Sequence, residues 1–156
     1  MSADILIIGI GNRYRGDDAL GCLMADKIRA QVPADIEVIE HDGEPASLID
    51  LWKDRKSVIL IDAVSSGASA GTIHHIDLQT QALPDSFRSY STHAFGIAEA
   101  VELARALDKL PPEIIFYGVE GKSFSADIQL STPLQKAAQE LRQQVLDKIG
   151  KEKKNA

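Results

Sequence analysis

Two aspartates and a histidine are placed in the chain where their side chains could do chemistry together. Asp18 lies in Gly11-Asn12-Arg13-Tyr14-Arg15-Gly16-Asp17-Asp18-Ala19-Leu20-Gly21, directly behind the apolar run of residues 5–8. Asp62 closes the apolar run Val58-Ile59-Leu60-Ile61, and His93 sits in Ser91-Thr92-His93-Ala94-Phe95-Gly96, ahead of a helical pattern. Ligands of open α/β sheets bind outside the carboxyl ends of the strands, so side chains at such ends converge although they are distant in sequence. Two carboxylates and one imidazole make a facial donor set for a divalent transition metal.

Each member also has a plainer explanation. Aspartate caps helices and favours their first turn, so one of Asp17 and Asp18 is expected to cap the helix that follows and the other to serve a site. A carboxylate closing an apolar strand must be solvated, hydrogen-bonded or paired. For Asp62 that partner is either a site or the amides of Ser65 and Ser66. His93 stands at the mouth of a helix that Ser91 or Thr92 can cap, which frees the imidazole. His74 and His75 are competing donors, but adjacent residues on a strand face opposite ways and cannot share one site.

Other chemistries fail on spacing. The turn Gly9-Ile10-Gly11 lacks the third glycine of a dinucleotide fingerprint, since position 14 is Tyr14, and no phosphate-binding Gly-Lys-Ser/Thr follows Gly16. Cys22 falls within an apolar helical stripe, where a thiol is inert packing. No nucleophile elbow and no zinc helix is present, and the ligands that assemble are too few for a closed structural zinc site.

The elements that must position these residues alternate between β-rich runs and helical periodicity, the mark of an α/β sandwich. Residues 5–9, 36–40, 58–61, 72–78 and 114–118 read as strands, the fourth nearer an edge. Helices are expected from Asp18 to the stop at Pro33, over 46–52 and 94–107, and from an N-cap at Ser131 onward. Residues 65–71 form a small-residue loop and 79–92 a long irregular stretch.

At 156 residues, with 44% hydrophobic and 26% charged, the chain reads as one domain over residues 1–150 followed by a charged, frayed tail at 151–156. A formal charge of −6 argues against a nucleic-acid or anionic-membrane partner. The single cysteine excludes an intrachain disulfide and suits a reducing compartment. Without a basic leader or a run of about 20 apolar residues, a cytoplasmic protein is expected, and nothing requires more than a monomer.

The ordered pieces resemble the hydrogenase maturation endopeptidases, which process the large subunit of [NiFe] hydrogenases. The pieces are Ile7-Ile8-Gly9-Ile10-Gly11-Asn12, Arg15-Gly16-Asp17-Asp18-Ala19-Leu20-Gly21, Ile61-Asp62-Ala63 with Gly71-Thr72, Ser91-Thr92-His93-Ala94-Phe95-Gly96, Tyr117-Gly118-Val119-Glu120 and Leu130-Ser131. The resemblance implies a three-layer α/β/α sandwich on a twisted, mostly parallel sheet of about five strands. It also implies a peptidase that removes a C-terminal extension from the large-subunit precursor once nickel is in place. By position, Asp18, Asp62 and His93 are then the metal ligands and catalytic residues, and the nickel is the precursor's own. His41-Asp42-Gly43-Glu44-Pro45 departs from the commonest form of the family's second-strand loop, which bears on the choice of precursor. Asp18 and Asp62 sharing a proton is the metal-free variant of the chemistry. A metal-dependent amidohydrolase on a small substrate, or a non-enzymatic metal- or nucleotide-binding module, are the alternatives.

Overall fold

The sheet forms from the runs in which nearly every residue is apolar, because such strands must be covered on both faces. In the computed structural model, residues 4–88, 92–124 and 129–154 are described, apart from the side chains of residues 88 and 92–95. β1 (Ile5–Ile10) and β3 (Ser57–Val64) occupy the middle of a five-stranded sheet with order β2-β1-β3-β5-β4. β2 (Glu37–His41) and β5 (Glu113–Glu120) run parallel to them, with Ile7 opposite Ile59 and Ile59 opposite Ile115. β4 (Ile73–Asp77) is the antiparallel edge, as its mixed polarity suggests.

Helices cover both faces, giving the expected three-layer sandwich. α2 (Pro45–Trp52) and α3 (Thr92–Ala106) pack on one side, where Leu6, Ile8, Val58, Leu60 and Phe116 meet Trp52, Ile97 and Val101. α1 (Leu20–Arg29) and α4 (Thr132–Lys154) pack on the other, over Ile7, Ile59, Ile61 and Val119. Each fully buried aliphatic side chain contributes about 1.5–3 kcal/mol. Gly9 and Gly21 let α1 lie directly on β1: a β-carbon on Gly9 would stand 2.0 Å from the Gly21 carbonyl oxygen.

Three local expectations are revised. The helix expected from Asp18 starts as a 3-10 turn, Gly16–Ala19, before α1 proper, and no side chain caps either piece. The irregular stretch at 79–92 contains a second 3-10 turn, Asp85–Arg88, and buries Leu83 and Phe87; residues 89–91 lie outside the described residues. Residues 151–154 continue α4 rather than fraying, where Lys153 reaches Asp35 at 2.7 Å and Lys148 pairs with Glu113. Among the described residues no helix is long and apolar enough to cross a membrane.

Candidate active site

The carboxyl ends of β1 and β3 carry the two acids. The chain leaves β1 at Ile10, and Asn12 organises the exit: its N–H donates to the Asp18 carbonyl at 3.0 Å and its side-chain oxygen accepts from Tyr14 N–H at 2.9 Å. The Asp18 N–H donates to Arg15 O at 3.0 Å, closing the turn that sets Asp18 against β3. Strand alternation points Asp62 to the same face as Val58, Leu60 and Val64, the side covered by α3. Its neighbour across β5 is Gly118, which has no side chain to offer.

Asp62 is 0% exposed and Asp18 3%, so water hardly reaches either. Neither Asp62 oxygen has a hydrogen-bond partner among the described residues. Burial first, and the negative charge of Asp18 second, hold the Asp62 carboxyl well above the usual carboxylate range. The Ala63 N–H dipole acts the other way without forming a hydrogen bond. The capping explanation for Asp62, through the amides of Ser65 or Ser66, does not hold: neither Asp62 oxygen is hydrogen-bonded among the described residues, and the Ser66 N–H donates instead to Glu120, at 3.0 and 3.2 Å to its two oxygens.

A cation against this pair would restore the ionised form, since burial and the Asp18 charge are what suppress it. Two carboxylates are oxygen donors of the kind a divalent cation accepts. Among the described residues no three His, Cys, Asp or Glu side chains gather into a ligand group. The third expected member, His93, lies in the first turn of α3, and its side chain is outside the described residues.

Asp17 turns out to be neither cap nor site acid. Its carboxylate accepts from Lys122 N at 2.6 Å, Ser123 N at 3.0 Å, Ser131 N at 2.8 Å and Ser131 Oγ at 2.9 Å. Ser131 does precede α4, but its hydroxyl donates to Asp17 while its carbonyl accepts from Leu134 and Gln135. Another buried acid, Glu120, accepts from the Ser66 hydroxyl and meets His74 Nε2 at 3.1 Å. His75 takes the opposite face, edge-on to Tyr117. Both histidines therefore serve the sheet edge.

One strand outward from the acids, a cleft of about 720 Å³ opens at the ends of β1 and β2. Asp18 and Asp62 are not in its walls; Asn12, Arg13, Tyr14, Glu40, His41 and Ser47 are. His41 Nδ1 accepts from Gly43 N–H at 2.8 Å, which leaves the proton on Nε2, 2.9 Å from Ser47 Oγ. Burial lowers the His41 pKa despite Asp42 and Glu44, so the imidazole is neutral and its 3.5 Å approach to Asp42 is not an ion pair. In that tautomer His41 donates to Ser47 and cannot take its proton, which rules out a serine nucleophile here. Cys22 is equally unsuited: burial, then Glu40, pushes its thiol up to about 12.

Comparison with known proteins agrees with this architecture. The chain is 33% identical to a putative hydrogenase maturation protease of Methanocaldococcus jannaschii over 95% of its own length and 97% of that protein's. It is 25% identical to the hydrogenase 2 maturation protease of Escherichia coli, covering 91% and 88%. The fold superimposes on the hydrogenase maturating endopeptidase HybD from E. coli with a TM-score of 0.81 at 23% identity, over 95% of this chain and 93% of that one. The family model described as HycI, hydrogenase maturation protease, matches residues 20–148, a span that contains Asp62 and His93 and begins just after Asp18. By that match and by the archaeal relative, the chain belongs to the hydrogenase maturation proteases and is a peptidase of that family.

Proposed function

We propose that this protein removes the C-terminal extension of a [NiFe] hydrogenase large-subunit precursor after nickel insertion, with Asp18, Asp62 and His93 reading the metal. The nickel belongs to the precursor and is not a resident cofactor. The observation that carries the reading is the Asp62 carboxyl, buried with both oxygens unpartnered among the described residues. Leaving a buried carboxyl without donors costs stability unless a ligand compensates it. A nickel ion presented by the precursor supplies that compensation, so unloaded precursor is spared.

Hydrolysis then needs water to add to the scissile carbonyl and a proton to reach the departing amine. Asp18 and Asp62 lie close enough to feel each other's charge. Ionised once nickel stands against them, they accept the proton that the water gives up as it adds to the carbonyl, and pass it to the nitrogen as the C–N bond breaks. The low exposure of both acids strengthens these interactions. The cleft at the ends of β1 and β2 receives the adjoining stretch of precursor chain, with Tyr14 at its rim.

The test is intact-mass measurement of the host's large-subunit precursor, nickel-loaded and nickel-free, after incubation with the purified protein. Loss of a C-terminal fragment from the loaded form alone is expected. Cleavage of both forms would remove the nickel-reading step, and cleavage of neither, with loading verified, would overturn the assignment. Titration of the free protein with nickel is expected to show no tight binding.

A further inference from the structure

We propose that Asp17 is a positioning residue, which sets the Asp18 carboxylate at the end of β3 by tying the 3-10 turn to the chain between β5 and α4. The proposal rests on the role given to Asp18 above. Asp17 is 0% exposed, and the donors to its carboxylate at Lys122, Ser123 and Ser131 lie 105 to 114 residues away. Its own N–H donates to Ser123 O at 2.8 Å, so backbone and side chain grip the same distant segment. Gly121 makes room for it: a β-carbon there would stand 3.2 Å from the Asp17 β-carbon.

The turn needs such a grip. A four-residue 3-10 segment has poor hydrogen-bond geometry and little cohesion of its own. Consecutive residues of a 3-10 turn project about a third of a revolution apart, so Asp17 and Asp18 leave it in different directions. One holds and the other works. The choice of partner matters as well. Among the described residues every donor to Asp17 is a backbone amide or a hydroxyl, none of them formally charged. A lysine or arginine in that place would set a positive charge beside the acids that are to meet a cation, and would oppose its approach.

The experiment compares wild type, Asp17→Asn and Ser131→Ala in steady-state cleavage of nickel-loaded precursor, with folded fraction and Tm measured on each sample. Asp17→Asn puts an amide donor where an oxygen now faces N–H groups, and Ser131→Ala removes one hydroxyl contact only. For Asp17→Asn, kcat per folded molecule is expected to fall on the order of 10²-fold, the penalty of a misplaced catalytic group, with KM held within about twofold. Ser131→Ala is expected to lose a few-fold in kcat and leave KM alone. A purely structural clasp moves Tm and folded fraction but not kcat per folded molecule; wild-type kcat in both variants overturns the proposal. Should Asp17→Asn fail to fold, unchanged kcat in Ser131→Ala overturns it alone. Failure of wild type itself on verified loaded precursor overturns the earlier assignment, and this one with it.

Discussion

The carbonyl oxygen of Gly43 occupies the space that a side chain on residue 96 would need, 2.1 Å from where its β-carbon would stand. Through that approach the loop after β2 is pressed against α3, one turn beyond His93. Gly96→Ala is therefore expected to force the two apart at about 3 kcal/mol, the upper range for overpacking. That corresponds to a fall in Tm of roughly 6–12 °C for a chain of this size, together with loss of precursor cleavage. Gly67→Ala is the control: its φ of +93 is strained for alanine but nothing lies within 4 Å, so a cost of about 1 kcal/mol and full activity are expected. Thermal melts and cleavage assays on the pair check this.

Asp62 makes stability depend on pH in a stated direction. Its pKa is raised on folding, so the native state holds a proton that the unfolded state releases above the ordinary value of 3.8. Native stability contributed at this site falls as pH rises from about that value towards the folded pKa, and is level beyond it. Asp62→Asn removes the dependence. Its Tm advantage over wild type is expected to be small near pH 4 and to widen towards pH 8, while cleavage is abolished. A gap that narrows with rising pH would contradict the assigned shift.

Cys22 should be silent in the folded protein. With the thiol pushed up to about 12, the nucleophilic thiolate is scarce at pH 8. Iodoacetamide is expected to leave native protein unlabelled and fully active, and to label it once in denaturant, as read by mass. Fast labelling with loss of activity would bring the thiol into the chemistry.

Tyr14 is 80% exposed at the rim of the cleft, an unusual place for an aromatic ring. If the precursor chain passes there, Tyr14→Ala raises KM about tenfold, a loss of about 1.4 kcal/mol of binding, and leaves kcat unchanged. Tyr14→Phe restores KM. Because the residue is mostly exposed, Tm should not move, which separates lost contact from lost structure.

What the sequence made legible was whatever is decided locally. The runs at 58–61 and 114–118 read as strands and are strands, and Asp62 at the end of the first had to be solvated, hydrogen-bonded or paired; the structure buries it with neither oxygen hydrogen-bonded among the described residues. The part Asp17 plays was not legible, since the donors to its carboxylate are amides and a hydroxyl over a hundred residues downstream. An amide leaves no trace in a residue's identity. The same holds for α4, whose last turn is joined at Lys153 to Asp35, a partner 118 positions earlier. The Ser131 cap was half right: the position begins the helix, but the hydroxyl answers to Asp17 instead of to its own helix.

The link between Asp17 and Ser131 also orders events in time. Residues 122–131 are made long after the turn that carries Asp18, at a synthesis rate of about 5–20 residues per second. Until they arrive, that turn has nothing to be fastened to, however complete the first strands are. Contacts of such long sequence separation are among the slowest to form. On the positioning role proposed for Asp17, a growing chain is inert until the start of the last helix has been made and Ser131 can bond Asp17.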